Sequence, residues 1–156
     1  MSSSRLLPVA CAALLSLLLG CSAAVTRPEH AKRLPPELDR VWFGMSLAEY
    51  EKLHGQAAQD LTMSFRIEVE QAAPGGDVVR VIYYFDAEGD RPLYEAIVEY
   101  REGVDVQALA RTLYGDPNDQ ETEWSFPTSE GFTFRAWVFE QKIVVMGTLP
   151  GTEWSE

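Results

Sequence analysis

The stretch Leu61-Thr62-Met63-Ser64-Phe65-Arg66-Ile67-Glu68-Val69-Glu70 alternates apolar and polar residues at every step. Successive side chains on a strand point to opposite faces, so the pattern predicts a strand that turns Leu61, Met63, Phe65, Ile67 and Val69 toward a core. Working outward, Ala73-Pro74-Gly75-Gly76-Asp77 is a loop signal, and Val78 to Phe85 behind it reads as a central strand. Asp86-Ala87-Glu88-Gly89-Asp90 makes the next turn. A third strand follows, Leu93 to Tyr100, with Tyr94, Ala96, Val98 and Tyr100 expected on one face. Together these segments describe an antiparallel three-stranded meander.

A short helix precedes the meander around Leu47 to His54. Ser46 and Glu49 have the spacing of a capping box, Met45 and Tyr50 occupy the flanking staple positions, and Gly55 supplies the stop. Leu47, Tyr50 and Leu53 form its expected inward stripe. The same order then recurs. Asp105 caps a second helix whose Val106, Leu109, Ala110 and Leu113 share one face, and Gly115-Asp116-Pro117 ends it. Strands are expected near Glu121 to Phe126, Phe132 to Phe139 and Lys142 to Leu149, with a turn over Pro127 to Gly131 and a tight Glu140-Gln141 connection. The helix exits Lys52-Leu53-His54-Gly55 and Thr112-Leu113-Tyr114-Gly115 lie sixty residues apart. The fold class is therefore α+β: an antiparallel sheet with two short helices, built as a tandem α-β-β-β repeat (41–100 and 101–156) in one compact domain over 41–156. Two separate units of about sixty residues, without metals or disulfides, would be marginal.

The chain of 156 residues is 46 % hydrophobic and carries 13 basic against 24 acidic residues, which excludes collagen, coiled-coil and histone-like classes. Its front end is different in kind. Arg5 is followed by the apolar stretch Leu6 to Leu19, too short to span a bilayer and of the right length for a signal peptide over residues 1–20. The following Leu18-Leu19-Gly20-Cys21 resembles the lipobox of bacterial lipoproteins. That resemblance implies diacylglyceryl transfer to Cys21, cleavage before it, acylation of the new N-terminus and a lipid-anchored place in the cell envelope. Ser22 stands where some such proteins carry an inner-membrane retention aspartate, so outer-membrane delivery is the expectation. With Arg5 removed, the mature side-chain charge becomes −12 over 136 residues. An acidic domain repels nucleic acid and anionic lipid surfaces, so no nucleic-acid partner is expected. Cys11 leaves with the signal peptide and Cys21 takes lipid, which leaves no disulfide and no thiolate chemistry in the mature domain. Residues 21–40, with Pro28, Pro35 and Pro36, read as a lipidated tether; the alternative is an ordered strap docked through Leu34 and Leu38.

Gly44-Met45-Ser46, Glu49 and Gly55 resemble the glycine-methionine-serine or threonine helix start and glycine stop of small outer-membrane assembly lipoproteins of the SmpA/OmlA type. Such proteins pack helices against an antiparallel sheet. The doubling resembles the tandem arrangement of the secreted β-lactamase inhibitor proteins related to that fold. The likeness covers Val41 to Tyr100, and the second half keeps the Leu113 to Pro117 helix exit.

For chemistry, the sequence offers no G-x-S-x-G elbow, H-E-x-x-H pair, P-loop or dinucleotide glycine signature, so no catalytic residues, cofactor or metal are assigned. His30 falls in the tether and His54 at a helix end, where a dipole contact is the simpler account. Asp86, Glu88 and Asp90 have hard oxygen ligands in one turn, but without the later glutamate of an EF-hand they read as a solvated hairpin; Asp116, Asn118 and Asp119 read the same way. The aromatics are the remaining signal. Trp137 and Phe139 share a strand face opposite Phe134, Ala136 and Val138, and Trp124, Trp137 and Trp154 are candidate binding residues if they reach solvent rather than fill the core. The leading expectation is a non-enzymatic protein-binding module of the envelope. A small-ligand carrier or hydrolase-like pocket protein, and a purely structural lipoprotein, are the alternatives.

Overall fold

A computed structural model of the chain describes residues 27–155 apart from 57, 62, 73 and 74. The signal segment and Cys21 lie outside the described residues. The rest is an α+β fold in which seven antiparallel strands form one sheet with the order β1-β2-β3-β4-β7-β6-β5. The elements are α1 (Leu47–His54), β1 (Gln59–Asp60), β2 (Arg66–Ala72), β3 (Val78–Asp86), β4 (Leu93–Tyr100), α2 (Val106–Tyr114), β5 (Glu123–Pro127), β6 (Thr133–Phe139) and β7 (Lys142–Gly147). The first half supplies α1 and four strands, the two-residue β1 being added to the expected three, and the second supplies α2 and three; the halves meet where β4 pairs with β7, Ile97 opposite Val144. One apolar core runs under both halves, joining Val69 and Val98 to Phe134 and Val145.

The two helices are specified locally in parallel ways. Ser46 Oγ accepts the Glu49 N–H while Glu49 Oε2 accepts the Ser46 N–H, a complete capping box for α1. Asp105 Oδ1 accepts the Ala108 N–H at 3.0 Å to start α2. Both helices stop at a glycine in the left-handed half of backbone space, Gly55 at φ +87° and Gly115 at +81°. In each the glycine N–H donates to the carbonyl four residues back at 2.8 Å, so the repeat legible in the helix exits is a repeat of conformation.

Three expectations change. The long alternating stretch is only half strand: β2 begins at Arg66, Ile67 and Val69 are buried, and Leu61, Met63 and Phe65 are 65, 45 and 47 % exposed. The reason is pairing. Arg66 is opposite Asp86, the last residue of β3, so the alternation upstream of Arg66 continues in sequence with no β3 neighbour to hold it against the core. On β4, Tyr94 leaves the face of Ala96, Val98 and Tyr100, because Tyr84 pairs with Glu95 and Phe85 with Leu93, which makes Tyr94 the extra residue of a bulge. On α2, Val106 and Ala110 are buried while Leu109 and Leu113 are 38 and 40 % exposed; Tyr114 fills the core instead, against Trp124, Phe126 and Phe134.

The described part of the expected tether is a strap. Glu29–Arg33 and Pro36–Leu38 form 3₁₀ turns, and Ala31, Leu34 and Leu38 join the core as the strap alternative requires. His30 is buried with them. Its Nε2 accepts the Phe43 N–H at 3.1 Å, its ring stacks on Phe43 and meets the edge of Phe132, and its Nδ1 lies 3.3 Å from Glu130 Oε1 without hydrogen-bond alignment. Glu130 also accepts the Glu29 N–H at 3.0 Å, so the β5–β6 turn holds the strap down.

Candidate functional site

The helices and strap cover one face of the sheet. The other face presents two rows of side chains in cross-strand register. One reads Glu70, Ile82, Ile97, Val144, Trp137, Glu123, an apolar band with a carboxylate at either end. The next reads Glu68, Tyr84, Glu95, Met146, Arg135, Ser125. Trp137 is half-buried in the first row, and Phe139 beyond it on the same face is 57 % exposed.

The three candidate tryptophans separate. Trp124, expected as a candidate binding residue, is instead fully buried in the core, and its indole N–H donates to the Gly115 carbonyl at 3.0 Å, tying the α2 exit to β5; it anchors the fold and its ring does not reach solvent. Trp137 stays on the open face. Trp154, 42 % exposed, lies in the segment after β7 and donates from Nε1 to Glu95 Oε2 at 2.9 Å.

Around Glu95 the structure assembles a cluster drawn from four parts of the chain. Tyr94, turned out by the bulge, donates from its hydroxyl to Glu153 Oε2 at 2.7 Å. The Arg66 guanidinium lies 3.7 Å from the same oxygen and sits over the Tyr84 ring, 4.1 Å from its centroid. Burial holds the Glu95 carboxyl above its ordinary range, and the nearby Glu153 adds to this, while the Trp154 N–H and Arg66 work the other way. Burial likewise pushes the Tyr84 phenol up to about 12, and Tyr94 higher still.

Two cavities adjoin the cluster. One of about 400 Å³ is lined by Phe65, Asp86, Glu88, Gly151, Thr152 and Glu153; one of about 170 Å³ is lined by Asp60, Met63, Arg66 and Glu68. Met63 and Phe65, displaced from the expected strand, are thereby exposed beside this end of the sheet. A larger open cleft of about 960 Å³ lies between α2 and residues 116–122, and Arg111 there pairs with Asp116 at 3.1 Å.

The acidic turn and His54 are held by local contacts. Asp86 Oδ1 accepts the Glu88 N–H at 2.7 Å, stabilising its own turn. His54 stacks on Tyr50 at 4.5 Å, with burial lowering its pKa. Among the described residues no group of three or more His, Cys, Asp or Glu is placed to hold a metal, and no helix is long and apolar enough to cross a membrane.

Residue-by-residue reading missed Arg66, Tyr84, Tyr94, Glu95 and Glu153. One signal was available: Thr-Glu-Trp-Ser occurs twice, at 122–125 and 152–155. The first copy enters β5 and the core, whereas the second lies on the opposite face of the sheet. Comparison of the chain with protein-family models, curated proteins and solved structures finds no match.

Proposed function

We propose that this chain is a non-enzymatic protein-binding module, held at the outer membrane of a bacterial cell envelope by lipid on Cys21, and that it binds an envelope protein through the open face of its sheet. One observation carries the reading: large apolar side chains reach solvent on or beside that face, namely Met63, Phe65, Phe139 and Trp154, with Trp137 half-buried among them. Carboxylates border them, as in a binding patch with an apolar centre and a polar rim. The cavity of about 400 Å³ mixes one ring with three carboxylates, which suits a partner's side chain better than an apolar small molecule.

Site-specific photo-crosslinking in intact cells tests it. A photoreactive residue at Phe65 or Phe139 is expected to capture one defined envelope protein, while the same residue at Leu109, exposed on the helical side, captures none. Cys21→Ser is expected to leave the membrane fraction. Equal capture at all three positions, or capture at none, overturns the binding face; a Cys21→Ser chain retained on the membrane overturns the anchor.

A further inference from the structure

Thr148, just after β7, bonds to β6 through its N–H to the Thr133 carbonyl at 3.0 Å, but residues 150–155 further along reach the sheet in another way. Their backbone hydrogen bonds stay within the chain after β7, Thr152 N–H to the Leu149 carbonyl and Ser155 N–H to the Thr152 carbonyl. The bonds that reach the sheet come from two consecutive side chains, Glu153 to the Tyr94 hydroxyl and Trp154 to the Glu95 carboxylate. Consecutive residues of a regular strand face opposite ways, so Tyr94 and Glu95 meet this pair on one face only because of the bulge. Arg66 supplies a charge for the acidic member, and the ring of Tyr84 holds Arg66 in place. The groove is also underfilled, since the cavity of about 400 Å³ opens between Phe65 and Gly151 to Glu153.

We propose that residues 150–155 are an internal occupant of a peptide-docking groove, and that a partner segment bearing a carboxylate side chain followed by an indole takes the same groove in trans, displacing them. This rests on the open sheet face being the binding face, and it names the partner's chemistry. The groove offers a hydroxyl donor and a guanidinium to the acid, and a carboxylate acceptor to the indole N–H. Local attachment by side chains alone is the kind that opens without the domain unfolding.

The probe is the acetylated peptide Gly-Thr-Glu-Trp-Ser-Glu, titrated by NMR against the intact chain and against the intact chain carrying Glu153→Gln and Trp154→Ala. The double variant is expected to bind saturably and at least tenfold more tightly than the wild type, with shifts at Tyr84, Tyr94 and Glu95. Peptides with Gln for the acid or Ala for the indole are expected to lose at least tenfold. Absence of saturable binding to the folded double variant, equal affinity of both chains, or preference for a peptide with Lys in place of Trp overturns the proposal. Should the double variant not fold, hydrogen exchange in the wild type decides: the Trp154 indole N–H is expected to exchange at least 100-fold faster than the buried Trp124 indole N–H, and comparable rates would make the segment part of the cooperative core. Lost envelope crosslinks with peptide binding intact count against the envelope reading and leave this one standing.

Discussion

The indole of Trp154 supplies a hydrogen bond, at 2.9 Å, to the carboxylate of Glu95, which stands on β4 in the middle of the sheet. Burial makes this carboxylate keep its proton more readily than one in water, outweighing the Trp154 N–H and Arg66, which favour the ionised form. Its folded pKa lies above 4.5, so the unfolded chain ionises first as pH rises. Stability therefore falls from about pH 4.5 upward, until Glu95 is ionised in both states. Glu95→Gln keeps an acceptor for the indole and removes the titration. Urea unfolding at pH 4 to 8 is expected to show the variant gaining on the wild type as pH rises from about 4.5 toward neutral. A constant difference across that range would contradict the account.

His30 gives a dependence of opposite sign. Burial holds its pKa below 6.5, an effect that Glu130 opposes and Arg27 reinforces. Below pH 6.5 the unfolded chain takes up a proton that the native imidazole refuses, so stability is lost as pH falls toward the folded pKa. His30→Gln retains an acceptor for the Phe43 N–H but cannot titrate. It is expected to flatten the acid limb, the loss of stability as pH falls below 6.5, leaving a residual slope from His54, whose pKa is also lowered. An unchanged limb would place the strap's acid sensitivity elsewhere.

Trp124 and Trp137 are one pairing position apart on neighbouring strands, since Trp137 is opposite Glu123, yet they face opposite sides of the sheet. Trp124→Ala is expected to cost about 3–5 kcal/mol, because it empties a core site and leaves the Gly115 carbonyl without its donor. Trp137→Ala is expected to cost about 1 kcal/mol and to weaken partner capture instead. Denaturant midpoints for the two variants, with crosslinking for the second, separate these roles.

Local signals carried the fold well and the site poorly, for a physical reason. Ser46, Glu49, Gly55, Asp105 and Gly115 act within one or two turns of chain, so their effect is readable from spacing alone, and the repeat of helix exits survives in the pairing of two half-sheets. The sides of Phe134, Ala136 and Val138 against Trp137 and Phe139 were also legible, because β6 is regular throughout. Alternation, by contrast, states which residues share a face without stating whether a neighbouring strand is there to bury it. Leu61, Met63 and Phe65 are exposed on that account. The bulge at Tyr94 is set by register between β3 and β4, and the cluster it creates joins residues as far apart as Arg66 and Glu153. A composition rich in proline could not by itself separate a tether from the strap that Leu34 and Leu38 dock.

Phe43 and Phe132, the rings against which the strap's His30 packs, meet the sheet at Gly147, where side-chain volume rather than backbone freedom dictates the residue. A β-carbon there would lie 2.9 Å from Phe132 Cε2 and 3.1 Å from Phe43 Cδ2. Phe132 is itself held edge-on by His30, with ring centroids 4.9 Å apart, so its retreat would disturb the buried imidazole. Gly147→Ala is accordingly expected to destabilise the domain by about 1–3 kcal/mol through overpacking. Phe132→Leu removes the nearest ring edge and should relieve that strain. The double variant is then expected to be more stable than the sum of the single effects predicts, by at least about 0.5 kcal/mol, the signature of groups in direct contact. Additive costs in urea unfolding would show that Phe132 yields freely and that the strap is not pinned at this point.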